Sequence, residues 1–272
     1  MLYATKENEQ RLRAAVAQTK VFLLDMDGTV YIENELIGDM KNTLSAIRRS
    51  GRRVVYFTNN SSKTVKEYEE KLSRLGIFGE EDAVYTSGVA AAEYLNEFYA
   101  GKKVYLVGTD GLRGEFEEAG IALAEENAEV AVLAYDTSLT FEKLVKINRM
   151  IVEGKPYIAT HPDAVCPAKG VYPPDVGSFI ELLKCSSGKY PDVVCGKPYK
   201  VMGECILRRL RLAREAVCMV GDRPHTDIRF ANNNGFHGIL VLSGETDEVR
   251  AEASPDRAEA VLDSLNGIVR FL

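Results

Sequence analysis

Short apolar runs separated by amphipathic stretches of helical length constrain this chain more than any other feature. The runs 21–25 (VFLLD), 53–58 (RVVYFT), 83–86 (AVYT), 103–107 (KVYLV), 129–135 (EVAVLAY), 156–160 (PYIAT), 193–196 (VVCG), 216–221 (AVCMVG) and 238–242 (GILVL) lack in–out alternation. They read as strands covered on both faces. Helical patterns fill 40–50, 64–75, 88–99, 140–153 and 200–212. In TVKEYEEKLSRL (64–75), Thr64 and Glu67 have capping-box spacing and Gly76 supplies a stop. The alternation predicts an α/β fold built on a doubly wound parallel sheet. Residues 5–18 read as a surface helix, and the longest irregular stretch is 161–177 (HPDAVCPAKGVYPPDVG).

Bulk properties narrow the function. With 272 residues, 46% of them hydrophobic, the chain is long enough for one large domain or two. A net charge of −6 argues against nucleic acid or an acidic membrane as partner, so an anionic ligand needs locally placed cations. The five cysteines form no C-x-x-C pair, which disfavours a zinc ribbon or disulfide framework; Cys195 and Cys218 lie in apolar runs and read as buried thiols. No stretch has the apolar length of a signal peptide or membrane span, so the expected compartment is the cytoplasm.

The strand ends carry the chemistry. The run at 21–24 leads into Asp25 and Asp27, which at strand spacing point to one side. Two carboxylates at a buried strand end repel unless something positive is shared between them. The run at 53–58 ends in Thr58, followed by Asn59 and Asn60; 193–196 runs into Lys197; 216–221 runs into Asp222. In one parallel sheet these four ends would share an edge, where open α/β sheets bind ligands. Asp25, Asp27 and Asp222 suit a hard cation such as Mg²⁺, and Lys197 suits a phosphoryl oxygen. Thr58 and the amides after it precede a helix N-terminus, which favours phosphate. An EF-hand is excluded: counting from Asp25, Gly28 is fourth rather than sixth, and Leu36 stands where the twelfth-position Glu belongs.

"DMDGTVY", "FTNNSSK", "GKPY" and "GDRPHTDI" together resemble the four motifs of haloacid dehalogenase (HAD) superfamily phosphatases. The long interval between Thr58 and Lys197 is similar to the NagD-like or 4-nitrophenylphosphatase-like group, which inserts a large α/β cap there. "TSGVAAAEYL", "AYDTSLTFEKL" and "ATHPD" resemble that group too. His161 stands where the group usually has Asn, Ile32-Glu33-Asn34 where it commonly has a Gly, and the 24 residues ahead of Asp25 exceed its usual start.

The resemblance implies a HAD-like Rossmannoid core at 1–99 and 192–272 with a smaller α/β cap at 100–191. It implies a Mg²⁺-dependent hydrolase of small phosphate monoesters, with Asp25 as nucleophile and Asp27 as general acid and base. Metal ligands would be Asp25, Asp222 and the Asp27 backbone carbonyl. Thr58, Asn59, Asn60 and Lys197 would hold the phosphoryl group. Asp227 would orient Lys197 or a metal-bound water, and His161, Asp163 and the 168–177 loop would meet the leaving group. Caps in such enzymes also offer a surface for a homodimer. His225 and His237 read as structural or surface residues, and "VGTDGLRG" (107–114) as a turn entering a helix rather than a dinucleotide loop. Competing readings are a phosphotransferase or mutase, a silent phosphate-binding module on the same fold, and a dinucleotide oxidoreductase.

Overall fold

The computed structural model describes residues 5–166 and 172–272. The chain divides into two compact units. The first comprises the chain up to Thr58, with Lys66–Tyr85 and Ile206–Leu272; the second comprises Asn59–Val65 and Thr86–Cys205. The second unit is thus wider than the expected insertion at 100–191.

Among the described residues the strands are, in chain order, β1 (Val21–Leu24), β2 (Tyr31–Ile32), β3 (Glu35–Leu36), β4 (Arg53–Thr58), β5 (Ala83–Thr86), β6 (Val104–Val107), β7 (Val130–Leu133), β8 (Tyr157–Ala159), β9 (Val193–Val194), β10 (Val217–Gly221), β11 (His237–Val241) and β12 (Ala260–Leu262). A six-stranded sheet runs β12-β11-β10-β1-β4-β5. β1 pairs in parallel with β10 on one side (Leu24 beside Val220) and with β4 on the other (Leu24 beside Tyr56). The strand order therefore reverses beside β1, as in a doubly wound α/β sheet, and such a reversal opens a crevice at the carboxyl ends of the strands. β2 and β3 form a short antiparallel hairpin immediately after the Asp25–Asp27 segment.

Every residue of β1 and β10 is buried, as their unbroken apolar sequence requires. Phe57 of β4 stacks on Tyr85 with centroids 5.6 Å apart and tilts against Phe230 at 5.4 Å. Burying one such side chain contributes roughly 1.5–3 kcal/mol. The helix Lys6–Gln18 buries Asn8, Leu12, Ala15 and Val16, so it is attached more firmly than a surface helix. Asn8 Nδ2 donates to Val261 O (2.7 Å) and Asn8 Oδ1 accepts from Val261 N (2.8 Å), pairing one carboxamide with the outer strand β12.

In the second unit β6, β7, β8 and β9 form a four-stranded, wholly parallel sheet. Its core joins Leu133, Ile147, Ile151, Val176 and Leu183. Helices Ser87–Phe98, Asp110–Glu118 and Phe141–Val152 open on Thr86, Thr109 and Thr140, whose hydroxyls accept from backbone amides three residues on. One expectation is corrected here. The run at 193–196 is not a strand of the six-stranded sheet: β9 pairs with β8, Ile158 beside Val193. Its two valines fit either sheet equally well, and only the tertiary register decides.

Candidate active site

In the first unit the carboxyl ends of β1 and β10 bring acidic groups together. Asp25 directly follows β1, and its amide donates to Val220 O of β10 at 2.9 Å. Asp222 directly follows β10. A tight turn over Pro224–Ile228, in which Asp227 N donates to Arg223 O (2.8 Å), folds Asp227 back toward the same strand end. One carboxylate oxygen from each of Asp25, Asp222 and Asp227 then lies within 4.8 Å of the others. Asp222 and Asp227 are buried and Asp25 is half-buried.

Like charges that close are unfavourable without a counter-ion. Burial, and after it the charge of Asp227, push the Asp222 carboxyl up to about 6. Its Oδ2 accepts from Glu245 N at 2.7 Å, whereas its Oδ1 is buried without a hydrogen-bond partner. An orphaned carboxylate oxygen beside two further carboxylates fits a hard divalent cation.

The group adds Asp227 to the expected Asp25 and Asp222. Asp227, expected to stand behind the ligands, contributes an oxygen to it. Asp27, expected to act through its backbone carbonyl, contributes none from its side chain, which is exposed. Asp27 sits where the chain reverses: Gly28 N donates to Tyr31 O (2.8 Å) and Tyr31 N to Met26 O (3.2 Å). Burial, and then the charge of Asp27, hold the Tyr31 phenol well above its ordinary range. Lys71 Nζ lies 3.6 Å from the centre of that ring. Thr58 closes β4 and is buried.

The second unit holds the remaining predicted residues. Lys197 is almost fully buried. Its backbone is gripped by Asn59: Lys197 N donates to Asn59 Oδ1 (2.8 Å), and Asn59 Nδ2 donates to Lys197 O (2.9 Å). The same Nδ2 lies 3.2 Å from both carboxylate oxygens of Asp163. Nothing in FTNN signals this pairing of Asn59 with the Lys197 backbone. Asn60 Oδ1 accepts from Ser62 N and Ser62 Oγ, both at 2.8 Å, shaping the turn.

His161, expected to meet the leaving group, lies inside the second unit. The residue is completely buried and both ring nitrogens are engaged. Nε2 lies 3.0 Å from Asp175 Oδ1, and Nδ1 lies 3.0 Å from Thr160 Oγ1 and 3.3 Å from Ser87 Oγ. In a neutral ring whose Nε2 donates to Asp175, Nδ1 accepts. Ser87 Oγ donates to Asn59 O, so the donor to Nδ1 is Thr160. Ser61 Oγ then donates to Thr160 Oγ1 (3.0 Å) and accepts from Tyr135 N (3.0 Å). The ring is one link in an ordered proton chain that fixes the 59–61 segment. Residues 168–171 of the loop expected to meet the leaving group lie outside the described residues.

Comparison with known proteins decides the family. The profile described as haloacid dehalogenase-like hydrolase matches residues 22–122, and a second, HAD-hydrolase-like, matches 194–268. The chain is 31% identical over 253 residues to 5′-nucleotidase YutF of Bacillus subtilis, covering 93% of this chain and 98% of that protein. It is 33% identical over 228 residues to an acid sugar phosphatase of Staphylococcus aureus, covering 84% and 88%. The chain belongs to the haloacid dehalogenase-like hydrolases. Its fold superposes on the crystal structure of a 4-nitrophenylphosphatase from Thermotoga maritima with a TM-score of 0.91, at 36% identity over 94% of this chain and 98% of that one. The resemblance drawn from the four motifs is borne out, and so is the HAD-like α/β fold. Among the described residues of this hydrolase no helix is long and apolar enough to cross a membrane.

The remaining predicted features are peripheral. None of the five cysteines is in a disulfide, and burial raises the thiols of Cys195 and Cys218 above the ordinary range. His225 is exposed, and His237 Nδ1 lies 2.7 Å from Glu259 Oε2. The 107–114 stretch enters the helix Asp110–Glu118.

Proposed function

We propose that this hydrolase is a Mg²⁺-dependent phosphatase of small phosphorylated metabolites that works through an aspartyl-phosphate on Asp25. The observation that carries the reading is the meeting of Asp25, Asp222 and Asp227, with Oδ1 of Asp222 buried and unpartnered. The relatives support the substrate class, since their names span nucleotides, sugar phosphates and 4-nitrophenyl phosphate.

Asp25, Asp222 and Asp227 are the residues suited to hold the cation, with the Asp27 carbonyl as a further oxygen. When bound, it would offset the negative charge of these carboxylates and of the transferring phosphoryl group. An oxygen of Asp25 attacks phosphorus, and the bond from phosphorus to the ester oxygen breaks. Asp27 gives its proton to the departing oxygen, so the alcohol leaves neutral. Asp27, now a carboxylate, takes a proton from water, whose oxygen attacks the aspartyl-phosphate. The bond between phosphorus and Asp25 breaks, releasing phosphate and restoring both aspartates. An exposed carboxyl beside the strand end is well placed to exchange protons with an incoming alcohol or water. Thr58, the amides of Asn59 and Asn60, and Lys197 are assigned to the phosphoryl oxygens, and the second unit to the cap role expected at 100–191. We place the enzyme in the cytoplasm, where Mg²⁺ and phosphorylated metabolites coexist.

Release of phosphate from 4-nitrophenyl phosphate and a panel of sugar and nucleoside monophosphates tests the reading. Turnover should require Mg²⁺, stop with EDTA, and vanish in Asp25→Asn while the circular dichroism spectrum stays unchanged. Turnover by Asp25→Asn near the wild-type rate overturns the nucleophile assignment.

A further inference from the structure

We propose that the segment Ser243–Gly244–Glu245, which follows β11, is a positioning element that aims one oxygen of Asp222 at the divalent cation. The inference rests on Asp222 being a cation ligand and adds what holds it in place.

A carboxylate on a short side chain has two equivalent oxygens and rotates readily unless it is confined. Here one oxygen is hydrogen-bonded and closely walled, and the other has no hydrogen-bond partner. Glu245 N donates to Asp222 Oδ2 at 2.7 Å. Gly244 packs so closely that a Cβ built on it would stand 1.9 Å from that same oxygen, and a Cβ on Gly28 would stand 2.4 Å from it. Gly28 needs to be glycine for its backbone alone, at φ +84. Gly244 is not among the residues of left-handed φ, so its glycine is required by the carboxylate against it. With Oδ2 walled between two glycines and an amide, Oδ1 is left buried with no hydrogen bond.

The segment is anchored at both ends. Ser243 Oγ donates to Gly28 O at 2.7 Å, joining it to the loop that follows Asp25 and Asp27. Glu245 Oε1 lies 3.2 Å from Arg223 Nε, joining it to the residue after Asp222. Displacing it therefore moves the Asp222 carboxylate relative to Asp25. Groups that orient metal ligands typically govern affinity by 10- to 100-fold.

The test is Mg²⁺ affinity by isothermal titration calorimetry, with the Mg²⁺-induced rise in melting temperature as a second readout, on the full-length chain. Gly244→Ala should weaken Mg²⁺ binding about 10-fold or more, as for other groups that orient ligands. Ser243→Ala, which creates no overlap and should fold, should weaken it about 3- to 10-fold, the range for one lost hydrogen bond. Ser243→Thr keeps the hydroxyl and should bind as wild type. The Mg²⁺-induced rise in melting temperature, taken from each protein's own metal-free value, should be smaller in Ser243→Ala than in wild type, a result that a merely structural role would not give. Wild-type affinity in Ser243→Ala or in folded Gly244→Ala overturns the inference. Absence of Mg²⁺ binding by the unaltered chain overturns instead the reading of Asp222 as a ligand.

Discussion

Asn59 holds Lys197 by the backbone at two points, accepting from its amide at 2.8 Å and donating to its carbonyl at 2.9 Å. The carboxamide reads the lysine as a neighbouring strand would, so the position of this buried cation depends on a residue far away in the sequence.

Replacing Asn59 should therefore act on chemistry through Lys197. Asn59→Leu leaves a buried N–H and C=O unpaired, a cost of about 1–3 kcal/mol per group. A misplacement near 1 Å costs on the order of 10²-fold in rate. We expect kcat for 4-nitrophenyl phosphate to fall about 100-fold and inhibition by inorganic phosphate to weaken. Steady-state kinetics on folded protein checks both, and an unchanged kcat refutes the link.

Asp27 makes a prediction about reaction steps. 4-Nitrophenolate leaves without protonation, so in Asp27→Asn the first step should survive and the second should stall. Rapid mixing should show a burst of nitrophenolate equal to the enzyme concentration, then turnover slowed about 10²- to 10⁴-fold. Alkyl phosphates, with poor leaving groups, should show no burst.

The raised Asp222 carboxyl ties stability to pH in metal-free protein. Its value near 6 when folded, against the ordinary 3.8, means the folded state binds the proton more tightly. That contribution is complete below about pH 4, declines as pH rises through about 6, and is absent above it. The span corresponds to roughly 2–3 kcal/mol. Urea unfolding in EDTA should show stability falling between pH 4 and 7 in the wild type, with a shallower fall in Asp222→Asn. Mg²⁺ should stabilise the wild type more at pH 7.5 than at pH 5.

His161 should prove structural. His161→Ala removes partners of Asp175 and Thr160 inside the second unit. Chemical denaturation should register a loss of about 1–3 kcal/mol. Because the ring is linked through Thr160 and Ser87 to the 59–61 segment, any effect on 4-nitrophenyl phosphate kinetics should follow from that segment's displacement and not from a lost contact with substrate.

The strand ends at Asp25, Thr58 and Asp222 were legible because buried parallel strands are nearly uniform apolar runs, and a polar residue at their close stands out. The same uniformity hid which sheet Val193–Val194 joins. Helix Val176–Ser187 was missed because Pro173, Pro174 and Gly177 crowd its start, and β2, β3 and β12 are too short to show a period. The turn over Pro224–Ile228 that carries Asp227 back toward Asp222 is not signalled by the spacing of the two residues. The roles of Asn59, His161 and Gly244 depend on partners far along the chain, which no local pattern encodes.

Asn8 has a consequence beyond anchoring its helix. β12 is the last strand of its sheet, and an uncovered last strand presents amides and carbonyls to any other chain that comes beside it. By taking both groups of Val261, one asparagine denies that margin to a second molecule. Asn8→Leu would leave the amide and carbonyl of Val261 unpaired at that margin.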